Sequence, residues 1–127
     1  MIRRNWIFAA LASSACSHPP ASGESLLPRQ VGAWTRTSLH DVAPPQANVL
    51  RGFEAVYSGA GELTVDLYDT KASGVAFEMT QHWRPSADTV FFDKGTYFAV
   101  VKWEQADRAA LREFVRALQK ELEGQGR

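Results

Sequence analysis

The sequence predicts an α+β domain: an antiparallel sheet of about four to five strands, with a short helix and a longer C-terminal helix packed on one face. Three observations predict it. Two pairs of β-type segments are joined by glycine turns, at 58–61 and at 94–95. Between them, residues 71–83 switch from a period of two to helical spacing. At the end, residues 107–122 carry an apolar stripe that becomes stable only when buried against a sheet. The order is β-β-β-α-β-β-α.

Leu26-Leu27-Pro28 opens the folded part, and residues 32–36, Gly-Ala-Trp-Thr-Arg, form a short strand or a packed entry segment. Pro44-Pro45 then breaks the chain and makes 40–46 a loop. Phe53, Ala55 and Tyr57 alternate with Glu54 and Val56; Leu63, Val65 and Leu67 alternate with Thr64, Asp66 and Tyr68. With Ser58-Gly59-Ala60-Gly61 between them these segments form a hairpin, and its second strand is aliphatic on one side and polar on the other. Ala72, Val75, Ala76, Met79 and Trp83 fall on one helical stripe that Arg84-Pro85 stops, although Gly74 weakens the helix by about 1 kcal/mol. Residues 89–93 and 96–103 form the second hairpin across Lys94-Gly95. The last strand is apolar on both sides, with Tyr97, Ala99, Val101 and Trp103 on one and Phe98 and Val100 on the other, so it lies inside the sheet and is buried twice. Leu111, Phe114, Val115, Leu118 and Leu122 make the stripe of the final helix, which Asp107 caps and Gly124 follows. About 100 residues bury roughly 60–65% of the surface of their unfolded chain, which suffices for a core without staples.

Residues 1–15 read as an export signal. Arg3 and Arg4 make a positive start, residues 6–12 an apolar run, and Ser13-Ser14-Ala15 a small-residue cleavage site. The apolar run is too short to span a bilayer, which takes roughly 20 residues. Arg3-Arg4 also fits a twin-arginine signal, although two arginines are ordinary at such a start. The single cysteine, Cys16, stands directly after the small residues, and Leu11-Ala12-Ser13-Ser14-Ala15-Cys16 resembles a bacterial lipobox. That likeness implies cleavage before Cys16 and lipidation of its sulfur. Ser13 stands where such boxes usually carry leucine, so ordinary cleavage after Ala15, leaving a free thiol, stays open. Residues 16–25, with Pro19, Pro20 and Gly23, form a tether to a single domain at 26–123.

Composition excludes several function classes. The 14 basic and 14 acidic side chains cancel, and loss of Arg3 and Arg4 leaves 12 against 14, so charge gives no reason to bind nucleic acid or an anionic bilayer. One cysteine excludes an intramolecular disulfide framework. His18, His40 and His82 lie far apart, none with a second ligand at zinc-site spacing, so no metal is expected. No cofactor motif is found either: Gly59-Ala60-Gly61 joins two strands and opens no helix that would hold phosphate. G-x-S-x-G and S-x-x-K are missing, and Cys16 lies before the folded part.

Two features remain as candidate sites. Asp66 and Asp69 flank Tyr68, with Glu54 across the hairpin from Asp66 or near it; such carboxylates act as acid and base when their surroundings separate their pKa values, and otherwise form a solvated strand face. The domain is also rich in aromatic residues. If both helices cover one sheet face, Asp66, Tyr68, Tyr97 and Trp103 become a ligand face on the open side, unless the segment around Trp34 folds over and closes it.

Leu27-Pro28, Gly32, Trp34 and Arg36, then Leu63-Thr64-Val65, Tyr68-Asp69, Ala76-Phe77, Gly95 with Tyr97-Phe98, and the helix from Leu111 to Leu118 resemble an uncharacterised family of bacterial extracytoplasmic proteins, over residues 26–122. The opening as far as Arg36 is also similar to that of an exosortase-associated envelope protein family. Neither likeness implies an activity or a catalytic residue. The sequence therefore predicts a non-catalytic cell-envelope lipoprotein, held to the membrane by a lipid on Cys16 and meeting an envelope protein partner. A ligand-binding or hydrolytic domain, and a subunit stable only as an oligomer, are the alternatives.

Overall fold

The computed structural model describes residues 21–125; the signal segment, Cys16 and His18 lie outside them. A helical turn, α1 (Gly23–Leu26), leads into β1 (Gln30–Val31), β2 (Trp34–Val42), β3 (Val49–Gly59) and β4 (Gly61–Thr70). Then follow α2 (Ser73–His82), β5 (Thr89–Lys94), β6 (Tyr97–Glu104) and α3 (Arg108–Gly124). The strands form one antiparallel sheet in the order β1-β2-β3-β4-β6-β5, and the α+β expectation holds.

Six strands replace the expected four to five. β1 precedes the predicted strand at 32–36, whose first residue, Gly32, lies instead in a turn with a positive φ of 59° that suits glycine; β2 starts at Trp34 and runs on through the residues expected as a loop. Leu39, His40, Asp41 and Val42 pair with Ala55, Glu54, Phe53 and Gly52. The β3–β4 hairpin turns on Ala60 alone, and a Cβ on Gly61 would meet the Ala106 backbone at 2.8 Å. The hairpin tip is thereby seated against the lead-in to α3, where Asp107 N–H donates to Ala60 O.

The two helices lie on opposite faces, which corrects the expectation that they share one. α3 turns Leu111, Phe114, Leu118 and Leu122 onto Phe53, Ala55, Tyr57, Leu63, Val65, Leu67, Tyr97, Ala99 and Val101. Burying four such side chains stabilises the fold by about 6–12 kcal/mol before entropy is counted. Asp107 Oδ2 accepts from Ala110 N–H at 3.0 Å, the expected cap. The segment around Trp34 closes this same face, and not the opposite one: Leu26, Leu27, Val31 and Trp34 are buried in one core with the apolar stripe of α3. Trp34 Nε1 donates to Ala110 O at 3.3 Å, and Tyr57 Oη donates to Pro28 O at 2.7 Å. Burial is also the main reason the Tyr57 hydroxyl is raised above its ordinary pKa. Tyr57→Phe keeps the ring and strands the Pro28 carbonyl; the expected loss is about 1 kcal/mol in urea unfolding.

α2 covers the other face at one end only. Ala76 and Met79 pack with Val49, Phe98 and Val100, while Trp83, at the helix end, lies 5.0 Å from the Phe98 ring. Tyr68 and Phe91 complete this aromatic group. Phe98 and Val100 are buried beneath α2 as Tyr97, Ala99 and Val101 are beneath α3, so β6 is the doubly buried inner strand its composition predicts.

Candidate functional site on the uncovered sheet face

Beyond α2 the same face carries polar side chains from four adjacent strands. Cross-strand partners share a face, so the register sets His40, Glu54, Asp66 and Val100 in one row and Ser38, Val56, Thr64 and Lys102 in the next. Of the two placements expected for Glu54, across from Asp66 or near it, the register gives the first.

Asp66 is the pivot. Its side chain is only 12% exposed, and its Oδ2 accepts from Lys102 Nζ at 3.3 Å. The carboxyl is pushed up to about 6: burial acts first, a hydrogen bond with Glu54 second, and Lys102 pulls the other way. Glu54 in turn meets His40 Nε2 at 3.2 Å through Oε1. Beside the pair, the Tyr68 hydroxyl is raised by burial and then by the charges of Asp66 and Glu54. Glu62 and Glu104 face each other on the same side, at the rim of a shallow cavity of about 230 Å³ that Thr64, Lys102 and Trp103 also line. Four carboxyls against one lysine and one histidine give this face an acidic character.

The proposed ligand face does not hold together as one surface. Asp66 and Tyr68 lie on the α2 side; Tyr97 and Trp103 lie on the α3 side. Tyr97 is 1% exposed, with its hydroxyl 3.4 Å from Gln125 O, and is a core residue. Trp103 is partly buried against the α3-side core. Asp69, expected beside Asp66 as a possible acid/base partner, also turns to the α3 side, where Arg51 Nε and Nη2 both donate to its Oδ2, at 3.1 and 2.9 Å. No protein-family model, curated protein or solved structure matches the chain.

The residues that sequence reasoning passed over are Lys102 and, as a partner of Glu54, His40. Alternation in β6 already set Lys102 on the side away from Tyr97 and Trp103. What alternation alone lacked was the β4–β6 register, which brings position 102 diagonal to position 66. His40 was hidden by the reading of its segment as a loop.

The row can take part in recognition and in proton binding. A carboxyl pair that cleaves a glycosidic bond flanks that bond, its two members about 5 Å or more apart. Here Glu54 and Asp66 are hydrogen-bonded to each other. A cationic group approaching Glu54, Asp66 and Glu62 meets acceptors held by the rigid centre of the sheet.

Proposed function

We propose that this chain is an exported cell-envelope protein, anchored through a lipid on Cys16, whose domain acts by binding a partner with a basic surface on the uncovered sheet face. The observation that carries the binding half is the Glu54–Asp66 pair: two carboxyls directly opposite each other across β3 and β4 on a half-open face, paired among the described residues with Lys102 and His40. Keeping so much acid together is costly in an isolated domain, and a cationic partner relieves the cost. The anchoring half rests on the order of charge, apolar run, small residues and cysteine in residues 1–16.

Two measurements test the reading separately. Cells fed labelled palmitate are expected to incorporate it into the chain, and Cys16→Ala is expected to abolish the label and move the protein to the soluble envelope fraction with unchanged circular dichroism. Retention of Cys16→Ala in the membrane would overturn the anchor. For the face, a photo-crosslinking residue at Thr64 is expected to give an adduct with a partner, weakened by Glu54→Gln, whereas one at Arg112 on the outer side of α3 gives none. Equal labelling from the two positions would overturn the binding face.

A further inference from the structure

β5 ends the sheet, and its outer edge is shaped differently from the edge at the other end. At that other end β1 pairs with the start of β2, a register shift follows between Arg36 and Ser38, and His40 and Asp41 are exposed. Each of these devices blunts an edge against further strand pairing. β5 lacks the flanking strand and the shift, and its charged residues, Asp93 and Lys94, stand together at one end. Its pairing with β6 runs without a shift from Thr89 to Lys94, and its centre is Val90-Phe91-Phe92.

The register also fixes which backbone groups face outward. Trp103 N–H donates to Asp88 O at 3.1 Å, and along an antiparallel ladder the inward-facing residues alternate. Asp88, Val90, Phe92 and Lys94 therefore aim their backbone groups at β6. Thr89, Phe91 and Asp93 aim theirs away from the sheet, where no described residue pairs with them. Large apolar side chains gather at the same edge. Val90 is 37% exposed on the α3 side. Phe77, 54% exposed, lies on the flank of α2 it shares with Thr80, and Thr80 Oγ1 reaches Asp93 Oδ1 in β5 at 3.0 Å.

We propose that β5 is a self-association edge, to which a second copy of this chain adds its own β5 antiparallel, in a two-fold register centred on Phe91. The outward backbone groups of Thr89, Phe91 and Asp93 then meet those of the partner's Asp93, Phe91 and Thr89. On the α2 side, the Thr89 hydroxyl lies opposite the partner's Asp93 carboxylate, and the two Phe91 rings meet beneath the Phe77 flanks. On the α3 side, Val90 lies opposite the partner's Phe92, twice by symmetry. Asp88 falls opposite the partner's Lys94, so at each end an ammonium group, which already lies 3.0 Å from Glu123 Oε2 of its own chain, gains a second carboxylate. Centring the pair on Phe92 sets Phe91 against a carboxylate and Val90 against an ammonium group. Centring it on Val90 leaves Asp93 without a cross-strand residue. The Phe91 register alone matches apolar with apolar and charge with counter-charge.

Cysteines read the register directly. In chains that also carry Cys16→Ala, and so have no other thiol, Val90→Cys and Phe92→Cys are co-expressed with different tags and mildly oxidised. The expected product is a mixed disulfide dimer carrying both tags, because positions 90 and 92 face each other across the two-fold axis. A dimer formed by Phe92→Cys alone, or by Val90→Cys alone, would place the axis elsewhere and overturn the proposal. The unaltered full chain is expected to sediment as a dimer, and Val90→Lys, at a half-exposed position that leaves the core intact, as a folded monomer. Sedimentation of the unaltered chain as a monomer at every concentration reached, or as a polydisperse aggregate, would also overturn it.

Discussion

Phe114→Ala is expected to lower the stability of the domain by about 3–5 kcal/mol, the largest effect of any single truncation in α3. Phe114 is fully buried where α3 crosses the sheet, with its ring 6.0 Å from that of Trp34 and 5.0 Å from that of Tyr57, edge to face in both cases. The cost of such a truncation depends on how far the neighbours collapse into the space left behind. Here they are held back: the Trp34 indole is tied to Ala110 O and the Tyr57 hydroxyl to Pro28 O. Closing the cavity would break one of those bonds, so the cost falls in the upper part of the range. For a domain of this size, total stability is about 5–15 kcal/mol, and each kcal/mol corresponds to about 4–8 °C in Tm. The melting temperature is therefore expected to fall by at least about 15 °C on this conversion, and thermal unfolding followed by circular dichroism measures it. Leu50→Ala, which removes a large apolar side chain from an exposed position of β3, is the control and is expected to shift stability by less than about 0.5 kcal/mol. If the two variants melted together, α3 would not be the element that holds the N-terminal segment and the sheet in one core.

Particular residues explain how much of this was legible in advance. The alternation of Phe53, Ala55 and Tyr57 against Leu63, Val65 and Leu67 reads as a hairpin because one buried face forces a period of two, and the same alternation set Glu54 across from Asp66. α3 was legible because Leu111, Phe114, Leu118 and Leu122 mark one wide stripe. β2 was not. Thr35, Arg36, Thr37, Ser38, His40 and Asp41 give almost no apolar alternation, since after Trp34 only Leu39 brings an apolar side chain to the α3-side core from a strand near the sheet margin, and the pairing that defines it is carried by the backbone. The side on which α2 packs was open to reasoning from one residue pair. A strand with Phe98 and Val100 on one side and Tyr97, Ala99 and Val101 on the other requires cover on both faces, which two helices on one face do not provide. The Glu54–Asp66 row was half legible for a related reason: strand parity gives the face a side chain takes, and only the long-range register of β6 and β2 shows what stands beside it.

The second large effect concerns that row and is expected to change with pH. Asp66→Asn should stabilise the domain by about 2–3 kcal/mol at pH 7.5 and by little at pH 4. The sign follows from the direction of the shift. The Asp66 carboxyl is raised from an ordinary 3.8 to about 6 by burial and by its hydrogen bond with Glu54, so the folded domain keeps a proton that the unfolded chain releases. Between about pH 4 and pH 6 the folded state binds more protons than the unfolded one, and stability falls as pH rises through that window. The stabilising contribution is complete below the unfolded value and lost above about 6, where the fold has to hold an ionised carboxylate in a buried position beside a second acid. Asparagine has the same shape and never ionises. It still offers Lys102 an oxygen acceptor, and its amide gives Glu54 a donor. Wild type is thus expected to gain stability on acidification from pH 7 to pH 5, a gain that Asp66→Asn flattens, when urea unfolding is followed across that range. Glu54→Gln removes the neighbouring charge and should shift the wild-type inflection to lower pH without erasing it, because burial, the larger cause, remains. Identical pH profiles for wild type and Asp66→Asn would show that the two carboxyls do not share a proton. The acidic face would then be an ordinary solvated strand surface, and the cost that a basic partner relieves would not exist.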